Sequence, residues 1–168
     1  STTVVIDRDT LPDVIAKTDV VVVNTDSRHL SPQGAYQESK SAAQTLGKHG
    51  VEYIYKKVDS MLRGNAGAEL DGIMDALDLS VCMLAPSFPA NARTTVHGQQ
   101  LVDGTPLEAT EASTDILAPT RSSYIPEVIA KQSRRNICVI GLDIVRLGPD
   151  AIAEHAHNLV ESGYSMLV

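Results

Sequence analysis

Short runs of valine and isoleucine recur along this 168-residue chain, and stretches with helical periodicity separate them. Residues 20–23 are an unbroken run of valine, the pattern of a strand that is buried on both faces of a parallel sheet. Residues 69–77 carry apolar side chains at the i, i+3, i+4 and i+7 spacing of an amphipathic helix. Repeated β-α-β units of this kind predict an α/β fold with a doubly wound, mostly parallel, Rossmann-like sheet.

The predicted strands and helices alternate over almost the whole chain. Strands are predicted at residues 3–6, 20–23, 51–55, 81–85, 137–140 and 165–168. Helices are predicted at residues 11–17, from Pro32 after an N-cap at Ser31 up to Gly50, and at residues 69–77, 124–131 and 150–161. Between residues 87 and 123 the helical pattern lapses. Prolines and glycines there predict a long loop insertion that contains a small β-hairpin.

Composition argues against several classes of function. The net charge of −7 disfavours nucleic acid as a partner, because phosphate binding requires a basic face. No apolar run approaches the roughly 20 residues of a membrane helix, so no membrane contact is expected. Cys82 and Cys138 each lie in an apolar run and are interpreted as small core residues in a reducing cytoplasm. The scattered histidines indicate no metal site.

Three polar clusters follow predicted strands. They are Thr25, Asp26, Ser27 and Arg28; Lys57, Asp59, Ser60, Arg63, Gly64 and Asn65; and Arg93, Thr94 and Thr95. The carboxyl ends of parallel strands face one side of a sheet, so we expect the clusters to converge on one crevice. The second cluster is the most informative, because its cations, carboxylate, hydroxyl and glycines suit a small polyhydroxy acid.

Each polar side chain of these clusters suits a different part of such a ligand. Arg28 and Lys57 suit its carboxylate, the arginine as a bidentate fork and the lysine as a point charge. Asp59 suits sugar hydroxyls, either as an acceptor or as a base that takes a hydroxyl proton, and Ser60 can share such a hydroxyl. Residues 64–67 open a helix, where free backbone N–H groups attract anions.

Two assignments stay open at this point. Asp26 is interpreted equally well as a turn former or as a ligand. Arg93 either belongs to the site or ties down the long loop. The sequence contains neither the dinucleotide fingerprint nor the P-loop, and no nucleophile elbow occurs.

In their order along the chain, these clusters resemble the four-carbon acid sugar kinase family, in particular its D-threonate kinase-like branch. The match rests on residues 24–28, 55–60, 62–65, 67–69, 93–95, 102–107 and on Gly98, Thr110, Asp115 and Pro119. The K-x-D-S-x-x-R-G-N stretch at 57–65 is its most specific part, and the resemblance covers nearly the whole chain.

The resemblance implies a two-domain kinase. Residues 1–168 would form the N-terminal domain, which binds the sugar acid, and a C-terminal domain would bind ATP. With Mg²⁺, such an enzyme transfers the γ-phosphate of ATP to the terminal hydroxyl of a four-carbon acid such as D-threonate or D-erythronate. The family's substrate contacts would fall on Arg28, Lys57, Val58, Asp59 and Ser60. We add Arg63, Asn65 and Arg93 to this predicted substrate-binding set.

The chain departs from the family pattern in several places. The family's opening Asp-Asp-x-Thr-Gly loop and its ATP domain are not in this sequence. Because that loop is expected to supply the catalytic base, Asp59 is only a fallback base, and the chain alone is expected to be inactive. Met61 stands where the family usually has threonine, and Ala92 stands where it usually has glycine.

Two other interpretations of the chain are weighed against a kinase domain. The first is a non-catalytic sugar-acid-binding module, or a homologue that has lost activity. The second is an interaction scaffold, which leaves the three polar clusters unexplained. The aliphatic faces of the helices suit either a core or the interface of a homodimer.

Overall fold

The computed structural model describes residues 1–116 and 118–168, apart from the side chain of Arg8. It confirms the α/β class. The strands are β1 Thr2–Val5, β2 Val20–Val23, β3 Cys82–Met83, β4 Arg93–Val96, β5 Gln99–Val102, β6 Thr105–Pro106, β7 Ile137–Cys138 and β8 Met166–Leu167. The α-helices are α1 Leu11–Ile15, α2 Pro32–Lys48, α3 Ala66–Leu77, α4 Ile125–Ala130, α5 Leu142–Val145 and α6 Pro149–Glu161. Short 3₁₀ helices lie at Arg8–Thr10, Pro89–Asn91, Leu107–Ala109 and Glu111–Thr114.

The strands form two parallel sheets and one antiparallel sheet. β1 pairs with β2 in register from Thr2↔Val20 to Val5↔Val23. β3, β8 and β7 form the second parallel sheet in that order. Hydrogen bonds extend this sheet beyond its strands, since Leu84 N–H donates to the Leu167 carbonyl and Ile140 N–H donates to the Val168 carbonyl. The helix-connected, parallel pairing is as predicted from sequence. The expected burial of β2 on both faces is wrong: Val20 and Val22 are 52% and 45% exposed, because one face of the two-stranded β1–β2 sheet is open to solvent.

The prediction of a strand at residues 51–55 is wrong. Residues 51–59 contain no regular secondary structure, and Tyr53 and Tyr55 are 85% and 88% exposed. The prediction depended on aromatic and β-branched side chains, but a strand also requires a ladder partner. None of the described residues pairs with this segment. As a result no strand joins β2 to β3, and the single parallel sheet expected from sequence is divided in two.

The predicted loop insertion contains more structure than a hairpin. β4 pairs with β5, and β5 pairs with β6, both antiparallel. The fully buried side chain of Gln100 ties this sheet to the rest of the domain: its Nε2 donates to the Ser60 carbonyl at 3.0 Å, and its Oε1 accepts from Thr95 Oγ1 at 2.6 Å. The insertion is therefore fixed next to the segment that carries Asp59.

Helices α2 and α3 pack closely against each other. α2 begins as predicted, with the Ser31 hydroxyl accepting from Gly34 N–H at 3.1 Å and Pro32 in the first turn. A side chain at Gly72 of α3 would overlap the Tyr36 carbonyl oxygen of α2, so only glycine permits this approach. α3 begins at Ala66, three residues earlier than predicted, and this places Asn65 and Glu69 at its N-terminal end.

The hydrophobic core joins α3 and α4 to the second parallel sheet. Its most buried members include Met74, Leu107, Ile125, Ile129 and Met166. Met61, one of the two departures from the family pattern, belongs to this core and is 5% exposed. Cys82 and Cys138 are free and only partly buried, which is less burial than predicted. No helix in the described part of the chain is both long and apolar enough to cross a bilayer.

Candidate functional site

A cavity of about 300 Å³ opens where β2 ends, between the loop that follows this strand, residues 56–59 and the start of α3. We call it the acid cavity. It is lined by Asn24, Thr25, Asp26, Ser27, Arg28, His29, Lys56, Lys57, Val58, Asp59, Arg63, Ala66 and Glu69. Its volume is at the small end of the range for small-molecule sites. The lining is predominantly polar, which suits a compact hydrophilic ligand.

Five of the eight residues predicted to bind substrate line the acid cavity: Arg28, Lys57, Val58, Asp59 and Arg63. Ser60 and Arg93 line a larger neighbouring cavity of about 680 Å³, which Lys57 and Asp59 also border. Asn65 lines a third cavity, of about 250 Å³, together with Arg28. The first cluster and half of the second therefore converge on the acid cavity as predicted. The single crevice expected for all three clusters is not found, because members of the second and third clusters lie in neighbouring cavities: Ser60, Gly64, Asn65 and Arg93.

Asp59 lies between two arginines. Its carboxylate accepts from Arg63 Nε at 2.7 Å and from Met61 N–H at 3.3 Å, and Arg28 Nη2 is 4.0 Å away. Burial alone would raise the pKa of Asp59, but the bonds from Arg63 and Met61 outweigh it and hold the pKa below its usual range. A carboxylate with a lowered pKa is a weak proton acceptor at neutral pH. This environment favours an orienting role for Asp59 over that of a base.

The adjacent lysines Lys56 and Lys57 have different surroundings. Lys56 Nζ donates to Glu69 Oε2 at 2.7 Å and to the Lys57 carbonyl at 3.0 Å. The exposed Lys57 side chain borders the same cavity, and among the described residues no carboxylate pairs with its ammonium group. Lys57 and the half-exposed Arg28 are therefore the cations that are most available to an incoming carboxylate.

Sequence reasoning did not identify Glu69 as a site residue. Glu69 lies in the first turn of α3, is 7% exposed, and pairs with Lys56 and with the Ser27 hydroxyl. A glutamate in a first helical turn has an ordinary explanation in the helix dipole, so its position alone gave no signal. The available signal was its place in the Gly67-Ala68-Glu69 stretch, which is part of the family resemblance.

Asn65 has its partners within the protein. Its Nδ2 donates to the carbonyls of Ser27 and Leu30, both at 2.9 Å, and lies 3.3 Å from the Arg28 carbonyl. The residue is 6% exposed, so these bonds connect the start of α3 to the backbone of residues 27–30. Asn65 therefore positions Arg28, which lies in the middle of this loop.

The structure shows the surroundings of Asp26 and Arg93, whose roles the sequence left open. Asp26 has a φ of 45°, and its N–H donates to Asn24 Oδ1, an arrangement typical of a turn. Arg93 begins β4, and its backbone pairs with Phe88, while its Nε is buried without a partner in the described structure. Asp26 also lines the acid cavity, so its turn role leaves its carboxylate next to the ligand space.

Together, the fold and the cavity define an α/β domain with a polar, cation-bearing binding site beyond the end of a parallel strand. The sequence profile of the sugar-binding N-terminal domain family matches residues 1–168, and the chain belongs to this family.

Its relatives include kinases of four-carbon acids. The chain is 33% identical over 151 residues to a D-erythronate kinase of Heliobacterium modesticaldum, a match that covers 89% of the chain and 34% of the relative. It is 37% identical over 133 residues to a D-threonate kinase of Salmonella typhimurium, covering 79% of the chain and 31% of that relative. A 3-oxo-tetronate kinase of Escherichia coli is 29% identical over 154 residues, covering 89% of the chain and 40% of that relative. The chain thus spans about a third of the length of these relatives.

Two solved structures superpose on this chain over almost its whole length. A domain of unknown function from Bordetella bronchiseptica superposes with a TM-score of 0.81 at 26% identity, covering 99% of this chain and 40% of the other. That domain was crystallised with bound citrate as a domain-swapped dimer. A second crystal form, also with citrate, gives a TM-score of 0.82 at 26% identity, covering 100% of this chain and 41% of the other.

Proposed function

We propose that this chain is the sugar-acid-binding part of an ATP-dependent kinase that phosphorylates the terminal hydroxyl of a four-carbon acid such as D-threonate or D-erythronate. The observation that carries the proposal is the acid cavity, where Arg28 and Lys57 flank a small polar space that also contains hydroxyl and carboxylate groups. The names of the relatives support the same class of substrate. The citrate in the Bordetella structures supports it further, since citrate is itself a hydroxy acid.

In this proposal the residues of the chain bind and orient the acid. The substrate carboxylate lies between Arg28 and Lys57, and Asp59 fixes the direction of the two arginines beside it. Ser60 and Arg93 border the adjoining cavity, into which the far end of the acid can extend. Holding the acid in one orientation contributes to phosphoryl transfer because positioning is a large part of that catalysis.

The residues present do not fit ATP or Mg²⁺. Among the residues that the structure describes, no group of three or more histidines, cysteines, aspartates or glutamates could hold a metal ion. The acid cavity has no glycine-rich phosphate loop of the kinds known for nucleotides. We therefore assign both cofactors to a C-terminal domain outside this chain. The catalytic base is assigned to the family's Asp-Asp-x-Thr-Gly loop, as the family resemblance implies, and Asp59 stays the fallback.

The test uses the full-length protein that contains this chain. Formation of ADP with ATP, Mg²⁺ and a panel of four-carbon sugar acids is measured, and acid binding is measured separately by calorimetry. Lys57→Gln should raise the KM for the acid about tenfold or more, because it removes a cation of the cavity that no carboxylate in the described part of the chain neutralises. Lys48→Gln, at an exposed site at the end of α2, should leave the KM unchanged.

Three outcomes would count against the proposal in different ways. Failure to bind any four-carbon acid at millimolar concentration overturns it. Binding without turnover in the full-length protein supports the alternative, a non-catalytic binding module. Equal KM values for Lys57→Gln and wild type would show that the assignment of the cavity is wrong.

Homodimer formation is also part of the proposal, supported by the domain-swapped Bordetella dimer. Sedimentation of the full-length protein at micromolar concentration tests it, and a purely monomeric species would refute it.

A further inference from the structure

Four side chains form a continuous line of hydrogen bonds along one wall of the acid cavity. Thr25 Oγ1 is 2.9 Å from Ser27 Oγ, Ser27 Oγ donates to Glu69 Oε1 at 2.6 Å, and Lys56 Nζ pairs with Glu69 Oε2 at 2.7 Å. Ser27 and Glu69 are 4% and 7% exposed, whereas Thr25 is partly buried at the cavity surface. The line therefore runs from the ion pair of the partly buried Lys56 with the buried Glu69 to a hydroxyl that faces the ligand space.

The ion pair determines the direction of every proton in this line. An ionised carboxylate can only accept, so the single hydroxyl proton of Ser27 is directed to Glu69. Ser27 Oγ then has only lone pairs left for Thr25, and the Thr25 hydroxyl must donate to it. Distance alone permits either direction at this last contact. The carboxylate at the other end of the line removes that ambiguity.

The Thr25 hydroxyl therefore presents only oxygen lone pairs to the cavity, because its proton is donated to Ser27. We propose that Thr25 is a specificity-determining residue that accepts a hydrogen bond from a hydroxyl of the bound acid, and so favours hydroxy acids over acids with a ketone at that carbon. A hydroxyl can donate to Thr25, whereas a ketone oxygen would confront its lone pairs. This inference rests on the proposed function and names the substrate class within it.

The first test removes the acceptor. Affinities of the full-length protein are measured for a four-carbon hydroxy acid and for its 2-deoxy and 3-deoxy analogues. In the wild type, one of the two analogues should bind about 3- to 10-fold more weakly, the value of one net hydrogen bond. Thr25→Val should abolish that difference, and Thr25→Ser should restore it. Thr45→Val is the matched control, because Thr45 is a partly buried threonine outside the acid cavity whose hydroxyl bonds within α2.

The second test reverses the direction of the hydrogen bonds between residue 69, Ser27 and Thr25. In Glu69→Gln, the amide oxygen is held by the Lys56 ammonium and the amide NH₂ faces Ser27, which must then accept. Ser27 would donate to Thr25, and Thr25 would present its own proton to the cavity. The oxo acid used here carries its ketone at the carbon whose deoxy analogue binds more weakly in the first test. In Glu69→Gln, its affinity should rise at least threefold relative to the affinity for the hydroxy acid. If Glu69 had only a structural role, Glu69→Gln would weaken the binding of both acids and leave the ratio of their affinities unchanged.

The outcomes separate this inference from the proposed function. If no acid binds to the wild type, the proposed function fails and the inference fails with it. If the acid binds but Thr25→Val retains the difference between hydroxy and deoxy acids, only the inference is overturned. An unchanged ratio of oxo to hydroxy acid in Glu69→Gln overturns it as well.

Discussion

The bonds of Asn65 give the sharpest prediction about how the site is held together. Asn65→Ala removes two hydrogen bonds of 2.9 Å from a side chain that is 6% exposed. At a net value of roughly 1 kcal/mol for each bond, the variant should lose about 2 kcal/mol of stability. For a domain of this size, that loss corresponds to a fall in the melting temperature of roughly 4–8 °C.

Asn136→Ala is the matched control for this change. Asn136 also donates from Nδ2 to a carbonyl, that of Gly163 at 3.0 Å, but it makes a single bond at an exposed site. Its loss should cost about 0.5 kcal/mol or less. Calorimetric scanning of the two variants in the full-length protein compares the melting transitions directly.

A second readout distinguishes positioning from direct contact with the ligand. If Asn65 acts through the backbone of residues 27–30, Asn65→Ala should weaken acid binding modestly, because Arg28 is no longer held in place. Equal destabilisation by Asn65→Ala and Asn136→Ala would refute the reasoning about the buried bonds. An unchanged melting temperature together with a large loss of affinity would show that Asn65 contacts the ligand itself.

Three further predictions follow from other parts of the structure. Gly72→Ala should destabilise the protein by about 1–3 kcal/mol in calorimetry, because a Cβ at this position overlaps the backbone of α2. Gly47→Ala is the control: its Cβ contacts only the end of a leucine side chain, so the change should be neutral or slightly stabilising. Because the pKa of Asp59 is lower in the folded state than in the unfolded state, the folded state binds fewer protons in acid. The stability that Asp59 contributes is therefore present above the ordinary pKa of 3.8 and is lost as the pH falls through the lower folded value. The stability difference between wild type and Asp59→Asn should shrink in acid titrations below pH 4. Partial burial raises the pKa of Cys82 to about 11, so iodoacetamide should alkylate it at pH 8 much more slowly than it alkylates a fully exposed thiol, as measured by mass spectrometry. Equal rates would contradict the partly buried position.

The sequence predicted those features that depend on short-range patterns. The run of valines at 20–23 predicted a parallel strand, Ser31 and Pro32 predicted the start of α2, and the polar residues after β2 predicted the position of the acid cavity. These signals are local because strand propensity, helix capping and the direction of strand ends all operate over a few residues. The burial of the valine strand on both faces was not predicted correctly, because it depends on which elements cover the sheet.

The features that the sequence did not predict depend on distant partners. Residues 51–55 have the composition of a strand, yet no ladder forms because pairing is decided by where other strands lie. The roles of Asn65 and Glu69 likewise come from distant contacts: both bond to Ser27, about 40 residues away along the chain, and Glu69 also pairs with Lys56. Nothing in the spacing of either residue reveals which backbone carbonyl or lysine it meets.

The absence of a hydrogen-bonded ladder along residues 51–59 has a consequence for the energetics of ligand binding. The wall of the acid cavity that carries Lys57 is held at its ends by Asp59 and by the Lys56–Glu69 pair, and its backbone amides lack the protection of a sheet. A ligand that bridges Lys57 and Arg28 would restrict this wall, so part of the binding enthalpy would be offset by lost chain entropy. Amide hydrogen exchange in this segment should slow on binding more than it does in α2 or α3. Substitutions that stiffen the segment would then tighten binding without adding any contact to the ligand.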